Sequence, residues 1–357
     1  MRRESLAFLK ELVNTPSPSG YEMAAAEVFR RYVAPFADDV KTDVLGNVCA
    51  AINPDARLKI MLAGHLDEIG FAVHYVSDEG YLHFQAIGGH DSVIPIGQRV
   101  WMHAKSGRVP GVIGRKAIHL LTTEERAKKP ELHELWIDIG ASNKDDALKR
   151  IELGDIVTYQ WEFQKLTDDI ATARGFDNKM GAFIVAEALR LLGENRPPRG
   201  VGVIAIGTVQ EEIGLRGART SAFASGAQVG FAVDVTHATD YPSVDKRQVP
   251  ELAMGKGPVI ARGANVNHVL FGLAQSAARD EGIPIQIEVE PGGTGTDANA
   301  MQIAGPGMAT GLFGVAIRYM HTPVETLSLR DVEQCAQLMA ATCRKITPKT
   351  DFTPRTL

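Results

Sequence analysis

The segment from Val201 to Val209, VGVIAIGTV, is apolar or glycine at every position but one. A strand with no polar alternation has to be covered on both faces, which is the situation of a central strand in a largely parallel sheet. Segments of the same kind recur along the chain. Arg57 to Ala63 (RLKIMLA), Val229 to Val233, Ile285 to Val289 and a stretch within Met308 to Met320 read as strands. Asp177 to Leu192, Leu215 to Ala224, Val266 to Asp280 and Asp331 to Lys345 carry helical spacing. At the start, Leu6, Leu9, Leu12 and Val13 share one helical face, the Pro-Ser-Pro-Ser-Gly run at 16–20 breaks that helix, and Glu22 to Phe36 resumes one. The alternation predicts an α/β fold, a mostly parallel sheet wrapped by helices.

Between about Phe71 and Gln160 the texture changes. Short β-like pieces (FAVHYV, YLHFQAI, RVWMHA, DIVTYQ) are separated by Gly, Asp and Asn. This spacing predicts a small inserted β-barrel-like module. The expected organisation is therefore one domain from residues 1–69 plus 166–357 and an inserted domain at 70–165. A length of 357 residues suits one large and one smaller unit.

Composition narrows the function classes. A net charge of -5 argues against nucleic acid as a partner, which requires a concentrated basic surface. No apolar run is long enough to span a bilayer, and Lys10 and Glu11 make the first segment an amphipathic helix and a poor signal peptide. Cys49, Cys335 and Cys343 are odd in number and form no close metal-type pair, so reduced thiols and a cytoplasmic location are expected.

The chemistry-bearing residues fall at the ends of the predicted strands. His65 and Asp67 follow MLAG, Glu211 and Glu212 follow VGVIAIGTVQ, Asp234 follows VGFAV, and His321 follows GLFGVAIRYM. Ligands of open α/β sheets bind beyond the carboxyl ends of the strands. Asp177 opens a helix, and the loop before it can bring its carboxylate to the same edge. Each piece alone has an ordinary reading: a structural histidine, a solvated Glu-Glu pair, an N-cap aspartate. Together they are hard to explain as solvated charges, because charges directly after buried strands need a partner or a metal. Histidine nitrogens with carboxylate oxygens suit zinc, cobalt or manganese, and the lack of nearby cysteines argues against a thiolate site. Asp177, Glu212 and Asp234 offset three of the four positive charges of two divalent ions, and two ions sharing one carboxylate use all five ligands.

Five segments carry a family resemblance. GHLDEIGF at 64–71, GFDNKMGA at 175–182, VQEEIGLRGA at 209–218, AVDVTH at 232–237 and YMHTPVET at 319–326 resemble, in order and spacing, metallopeptidase family forty-two. These are the tetrahedral (TET-type) and glutamyl aminopeptidase-like enzymes. GGHDSVIPIGQRV at 88–100 and GVIGRKAIHLL at 111–121 look like the family's inserted domain. The resemblance implies that His65 and Asp234 bind one metal, that Glu212 and His321 bind the other, and that Asp177 bridges them. It further implies that Asp67 holds the second ring nitrogen of His65 and that Glu211 is general base and then general acid. It implies a PDZ-like inserted domain, peptide substrates with a free amino terminus, and dimers assembling to a dodecamer. Asn178 and Lys179 stand where many relatives have Asp and Arg, positions not expected to touch metal.

Two further features have competing readings. PGGTGTD at 291–297 lacks the Lys-Ser/Thr ending of a phosphate loop, and Gly295 to Ala298 either lines the substrate pocket or is an ordinary turn. His119 either is structural or reaches a neighbouring active site. Rival functions are a carboxypeptidase or N-acyl amino acid deacylase on the same scaffold, a glycosidase with paired carboxyl groups and no metal, and a non-catalytic assembly protein.

Overall fold

A computed structural model describes residues 1–354. The chain opens with helices α1 (Arg3–Asn14) and α2 (Met23–Val33), followed by strands β1 (Asp39–Thr42), β2 (Val48–Ile52) and β3 (Leu58–His65). Six strands then come from the middle of the chain: β4 (Gly70–Val76), β5 (Leu82–Ile87), β6 (Arg99–Ala104), β7 (Gly107–Gly114), β8 (Trp136–Asp138) and β9 (Ile156–Tyr159). The short helices α3 (Thr123–Ala127) and α4 (Lys144–Leu148) lie among them. After β10 (Gln164–Lys165) and β11 (Ile170–Ala173) come α5 (Phe176–Glu194), β12 (Val201–Thr208), α6 (Arg216–Ser225), β13 (Val229–His237) and β14 (Val259–Gly263). The chain continues through α7 (His268–Glu281), β15 (Gln286–Glu290), α8 (Asp297–Gln302), β16 (Ala309–Ile317), β17 (Glu325–Ser328) and α9 (Leu329–Lys345).

The main sheet has the order β1-β2-β12-β3-β13-β16-β14-β15. Its four central strands, β12, β3, β13 and β16, are mutually parallel, and β14 and β15 form a further parallel pair. Antiparallel pairing is confined to β1–β2, β2–β12 and β14–β16, towards the flanks. The expected α/β class is therefore what the chain adopts. The apolar segment beginning at Val201 is β12, buried at all eight positions. It lies between β2 and β3 with helices on both sides, so it needs no polar alternation.

The second unit is a closed antiparallel barrel, β4-β5-β8-β7-β6-β9, whose strands all lie between Gly70 and Tyr159. It has a core of its own, with Phe71, Phe84, Val100, Met102, Ile137 and Val157 inside. β10 pairs with β11 and not with the barrel.

Helix α5 is apolar on nearly every side because it is buried between the sheet and helices α1, α2 and α9. Its first turns press on the end of β3. A Cβ added at Gly64 would run into the Gly181 carbonyl group and lie 2.6 Å from the Ala182 nitrogen. That contact is backbone against backbone, so no side-chain movement relieves it. Gly64→Ala is expected to lower unfolding free energy by about 1–3 kcal/mol, as overpacked cores do, measured by urea denaturation, and to reduce activity by displacing the start of α5.

Candidate metal centre

The parallel register of the central strands brings the predicted residues to one edge. His65 ends β3 and lies opposite Thr208 of β12, so Glu211 and Glu212 come immediately after it in the adjoining loop. Asp234 departs from expectation. It does not follow its strand but lies inside it, because β13 runs on to His237 through continued pairing of Val235 and Thr236 with β16. Ala232 pairs with Ala63, so two residues further Asp234 comes level with His65. His321 sits in the loop after β16 with φ of 58°, and Asp177 lies in the first turn of α5 with non-helical torsions.

Asp177 stands between the two histidines. Its Oδ1 lies 3.4 Å from His65 Nε2 and its Oδ2 lies 3.2 Å from His321 Nε2. Around His65 Nε2 are also Glu211 Oε2 at 3.6 Å and Asp234 Oδ1 at 3.9 Å, while Glu212 Oε2 is 3.6 Å from His321 Nε2. Two sets of ligand-capable atoms each fall within 4.8 Å of one another: His65, Asp177 and Glu212, and His65, Glu211 and Asp234. His65 is buried, whereas His321 is 36% exposed at the mouth.

Asp67 does more than face a histidine. Its Oδ1 is 3.3 Å and its carbonyl oxygen 3.1 Å from His65 Nδ1. The same carboxylate accepts the backbone N–H groups of Glu211 and Glu212, each at 3.1 Å, and the Ser19 hydroxyl at 2.7 Å. One buried acid thereby orients the ring and the Glu-Glu loop together. Glu22 adds a further anchor, since its Oε1 accepts from Gly20 N at 2.8 Å and Gln210 N at 3.0 Å. The barrel also reaches the site: a Cβ at Gly88 would lie 3.4 Å from Glu212 Oε2, and one at Gly89 3.4 Å from His321 Nδ1. Reading the sequence assigned neither Glu22 nor these glycines to the site: Glu22 appeared only as the start of a helical stretch and Gly88–Gly89 only within the segment that resembles the inserted domain.

Asn178 and Lys179 point away from the cluster. Asn178 donates to Val233 O at 2.7 Å and accepts from Gly181 N at 2.9 Å. Lys179, fully buried, donates to Thr15 O at 2.6 Å and Glu68 Oε1 at 2.8 Å, and Arg174 also pairs with Glu68. His119 is exposed and does not line the cavity of its own chain, whereas Gly295 and Thr296 do line it.

The electrostatics of the cluster call for cations. Burial, then the charges of neighbouring acids, pushes Glu211, Glu212 and Asp234 above the usual carboxylate range. Burial works against a charged His65 ring, but Glu211 and Asp67 outweigh it and raise its pKa well above the ordinary value. For Asp177 burial is outweighed by the two histidines, and its pKa falls. Glu212 Oε1 is buried without a hydrogen-bond partner. A closely packed set of acids with an orphaned oxygen and imidazole nitrogens among them fits hard-to-borderline divalent ions.

The cluster opens into a cavity of about 670 Å³. Glu211, Glu212 and His321 line it, as do Glu288 and Glu290 of β15, and none of its described lining residues is Lys or Arg. Among the described residues no helix is long and apolar enough to cross a membrane.

Residues 46–338 match the family described as M42 glutamyl aminopeptidase. The chain is 36% identical over 349 residues to lysyl aminopeptidase of Pyrococcus furiosus, covering 97% of this chain and 98% of that protein. A TET aminopeptidase from a marine-sediment Thaumarchaeota archaeon superposes with a TM-score of 0.92 at 32% identity, covering 97% of each chain. The TET1 peptidase of Pyrococcus horikoshii, which can assemble into a tetrahedron or a large octahedral shell, gives a TM-score of 0.84 at 32% identity, covering 96% of this chain and all of that one. The chain belongs to the M42 glutamyl aminopeptidase family, whose peptidases are metal-dependent.

Glu22 provides a pH signature. Burial first, then the Asp67 charge, raises its pKa to about 7. The folded state then keeps a proton that the unfolded chain has released between about pH 4.5 and pH 7, so stability falls as pH rises through that window. Glu22→Gln keeps the acceptor oxygen and removes the titration. In urea denaturation of metal-free protein, the variant is expected to lose less stability than the parent between those pH values.

Proposed function

We propose that the chain is a dinuclear metallo-aminopeptidase that removes the amino-terminal residue of peptides. The observation that carries this reading is Asp177, whose two carboxylate oxygens face different histidines at 3.4 and 3.2 Å. A carboxylate so placed could be shared by two cations. His65 and Asp234 would hold one ion with it, and Glu212 and His321 the other. Two divalent ions held there, with zinc or cobalt suiting the ligands best and manganese also acceptable, would lower the pKa of water towards about 7 and polarise the scissile carbonyl.

Glu211 takes the proton of the attacking water and delivers it to the departing amine nitrogen as the C–N bond breaks. Transfers of this kind contribute about 10² to 10⁴-fold. Asp67 keeps His65 Nε2 directed at the cluster and holds the Glu211 backbone in place. A glycosidase requires two carboxyl groups flanking a sugar bond, an arrangement that histidines interleaved with the acids do not favour.

Kinship with shell-forming peptidases supports a homo-oligomer built from dimers up to a dodecamer, with residues 70–165 as the inserted oligomerisation domain. Three free cysteines among the described residues fit a cytoplasmic enzyme. Glu288 and Glu290 on the cavity wall favour substrates whose first side chain is basic, in keeping with the name of the Pyrococcus furiosus relative.

Elemental analysis is expected to find two divalent ions per chain. Glu211→Gln is expected to leave folding and metal content intact and to lower turnover by several orders of magnitude; near-normal turnover would remove Glu211 from its role. In a panel of amino-acid anilides, lysine and arginine substrates are expected to be cleaved faster than glutamate, with the gap narrowing in a Glu288→Gln, Glu290→Gln variant. Equal rates for lysine and glutamate anilides would refute the basic preference.

A further inference from the structure

Glu325 opens β17, is 2% exposed, and takes no part in the proton transfer assigned to Glu211. Its two oxygens are used separately. Oε2 accepts the backbone N–H of Asp177 and Oε1 accepts the backbone N–H of His321, both at 3.0 Å. The residues it ties together are the bridging carboxylate and the exposed histidine of the cluster, whose side chains meet at 3.2 Å. Asp177 and His321 are therefore linked twice, at the site by their side chains and behind it through a third residue.

The local backbone explains why such a clamp is needed. Asp177 stands in the first turn of α5, where N–H groups have no acceptor within the helix. His321 has φ of 58°, a left-handed conformation that is unfavourable for a residue with a side chain and persists only when its surroundings impose it. Glu325 supplies acceptors for both. It is itself fixed, because its backbone pairs with Ala173 in the β11–β17 ladder, just ahead of the turn into α5. The reference point for the two ligands thus lies in a strand and not in the helix start or the loop that carry them.

We propose that Glu325 is a positioning residue that sets the separation of Asp177 and His321, and with it the cation position made by Glu212 and His321. This rests on the two-cation reading of the site. The carboxylate is chemically specific for the task, since both of its oxygens accept. A glutamine has one acceptor and one NH₂ group, which would face one of the two N–H groups donor to donor. An aspartate keeps both acceptors on a shorter stem.

The test uses full-length protein stripped of metal and titrated calorimetrically with zinc, and separately with cobalt to follow visible absorption, in the parent, Glu325→Gln and Glu325→Asp. Melting temperature of the metal-free proteins is measured in parallel. The expected result for Glu325→Gln is one ion bound with parental affinity and the other about 10- to 100-fold more weakly, the range found when supports of metal ligands are lost. An altered cobalt spectrum should accompany it, kcat should fall with KM little changed, and the metal-free melting temperature should stay near that of the parent. Glu325→Asp should recover part of the lost affinity, and it carries the test should the glutamine variant fail to fold. Parental affinity for both ions in a folded Glu325 variant would overturn the positioning role alone, leaving the dinuclear site standing. A lower metal-free melting temperature with both ions still tightly bound would assign Glu325 to fold stability and overturn it too. A parent that binds fewer than two ions overturns both this proposal and the two-cation reading.

Discussion

Crowding of negative charge at a low-dielectric edge governs this molecule. Asp67, Asp177, Glu211, Glu212 and Asp234 are brought around two imidazoles where water is largely excluded. Like charges so close cannot all ionise unless positive charge is supplied among them. The nearby basic side chains do not supply it, because Arg174 and Lys179 are both engaged by Glu68 on the other side of the α5 start. The cluster is left short of positive charge, and metal ions are the partners that its mix of nitrogen and oxygen donors fits.

The architecture tolerates this concentration because the acids are fixed from behind. Asp67 accepts two consecutive backbone N–H groups, Glu22 accepts from the residue before them, and Glu325 accepts from Asp177 and His321. Each supporting carboxylate is satisfied by backbone donors, which do not depart or titrate as side-chain partners can. Backbone anchoring of this kind is the support that a preorganised site needs. The close backbone approach at Gly64 and Gly181 belongs to the same scheme, since it lets the start of α5 rest directly on the strand that ends in His65.

Much of this was legible in the residues. Unbroken apolar segments announced buried parallel strands, Glu211, Glu212 and His321 were recognisable as residues lying just beyond such strands, and His65 proved to be the last residue of its strand. Asp234 was misplaced by a boundary: an acid ending an apolar run looks like a strand terminus, yet the next three residues, Val-Thr-His, keep pairing with β16. The middle segment announced short strands but not their order, in which β8 sits between β5 and β7 and β9 closes the barrel against β4. Antiparallel pairing at the flanks of the main sheet was equally invisible, because pairing direction leaves no imprint on a short apolar strand.

The amino-acid sequence by itself determined which side chains are available for chemistry, the α/β class, and the existence of a β-rich interruption, since these depend on local periodicity and on the residues immediately after each buried strand. Tertiary structure alone decided that Asp67 holds the Glu-Glu loop, that Glu22 and Glu325 stand behind the cluster, and that Gly88 and Gly89 close on Glu212 and His321. The physical reason is range. Hydrophobic pattern is written over a few neighbouring residues, whereas a hydrogen bond between Glu325 and Asp177 spans 148 positions and exists only once strand register and helix packing have brought the two within 3.0 Å.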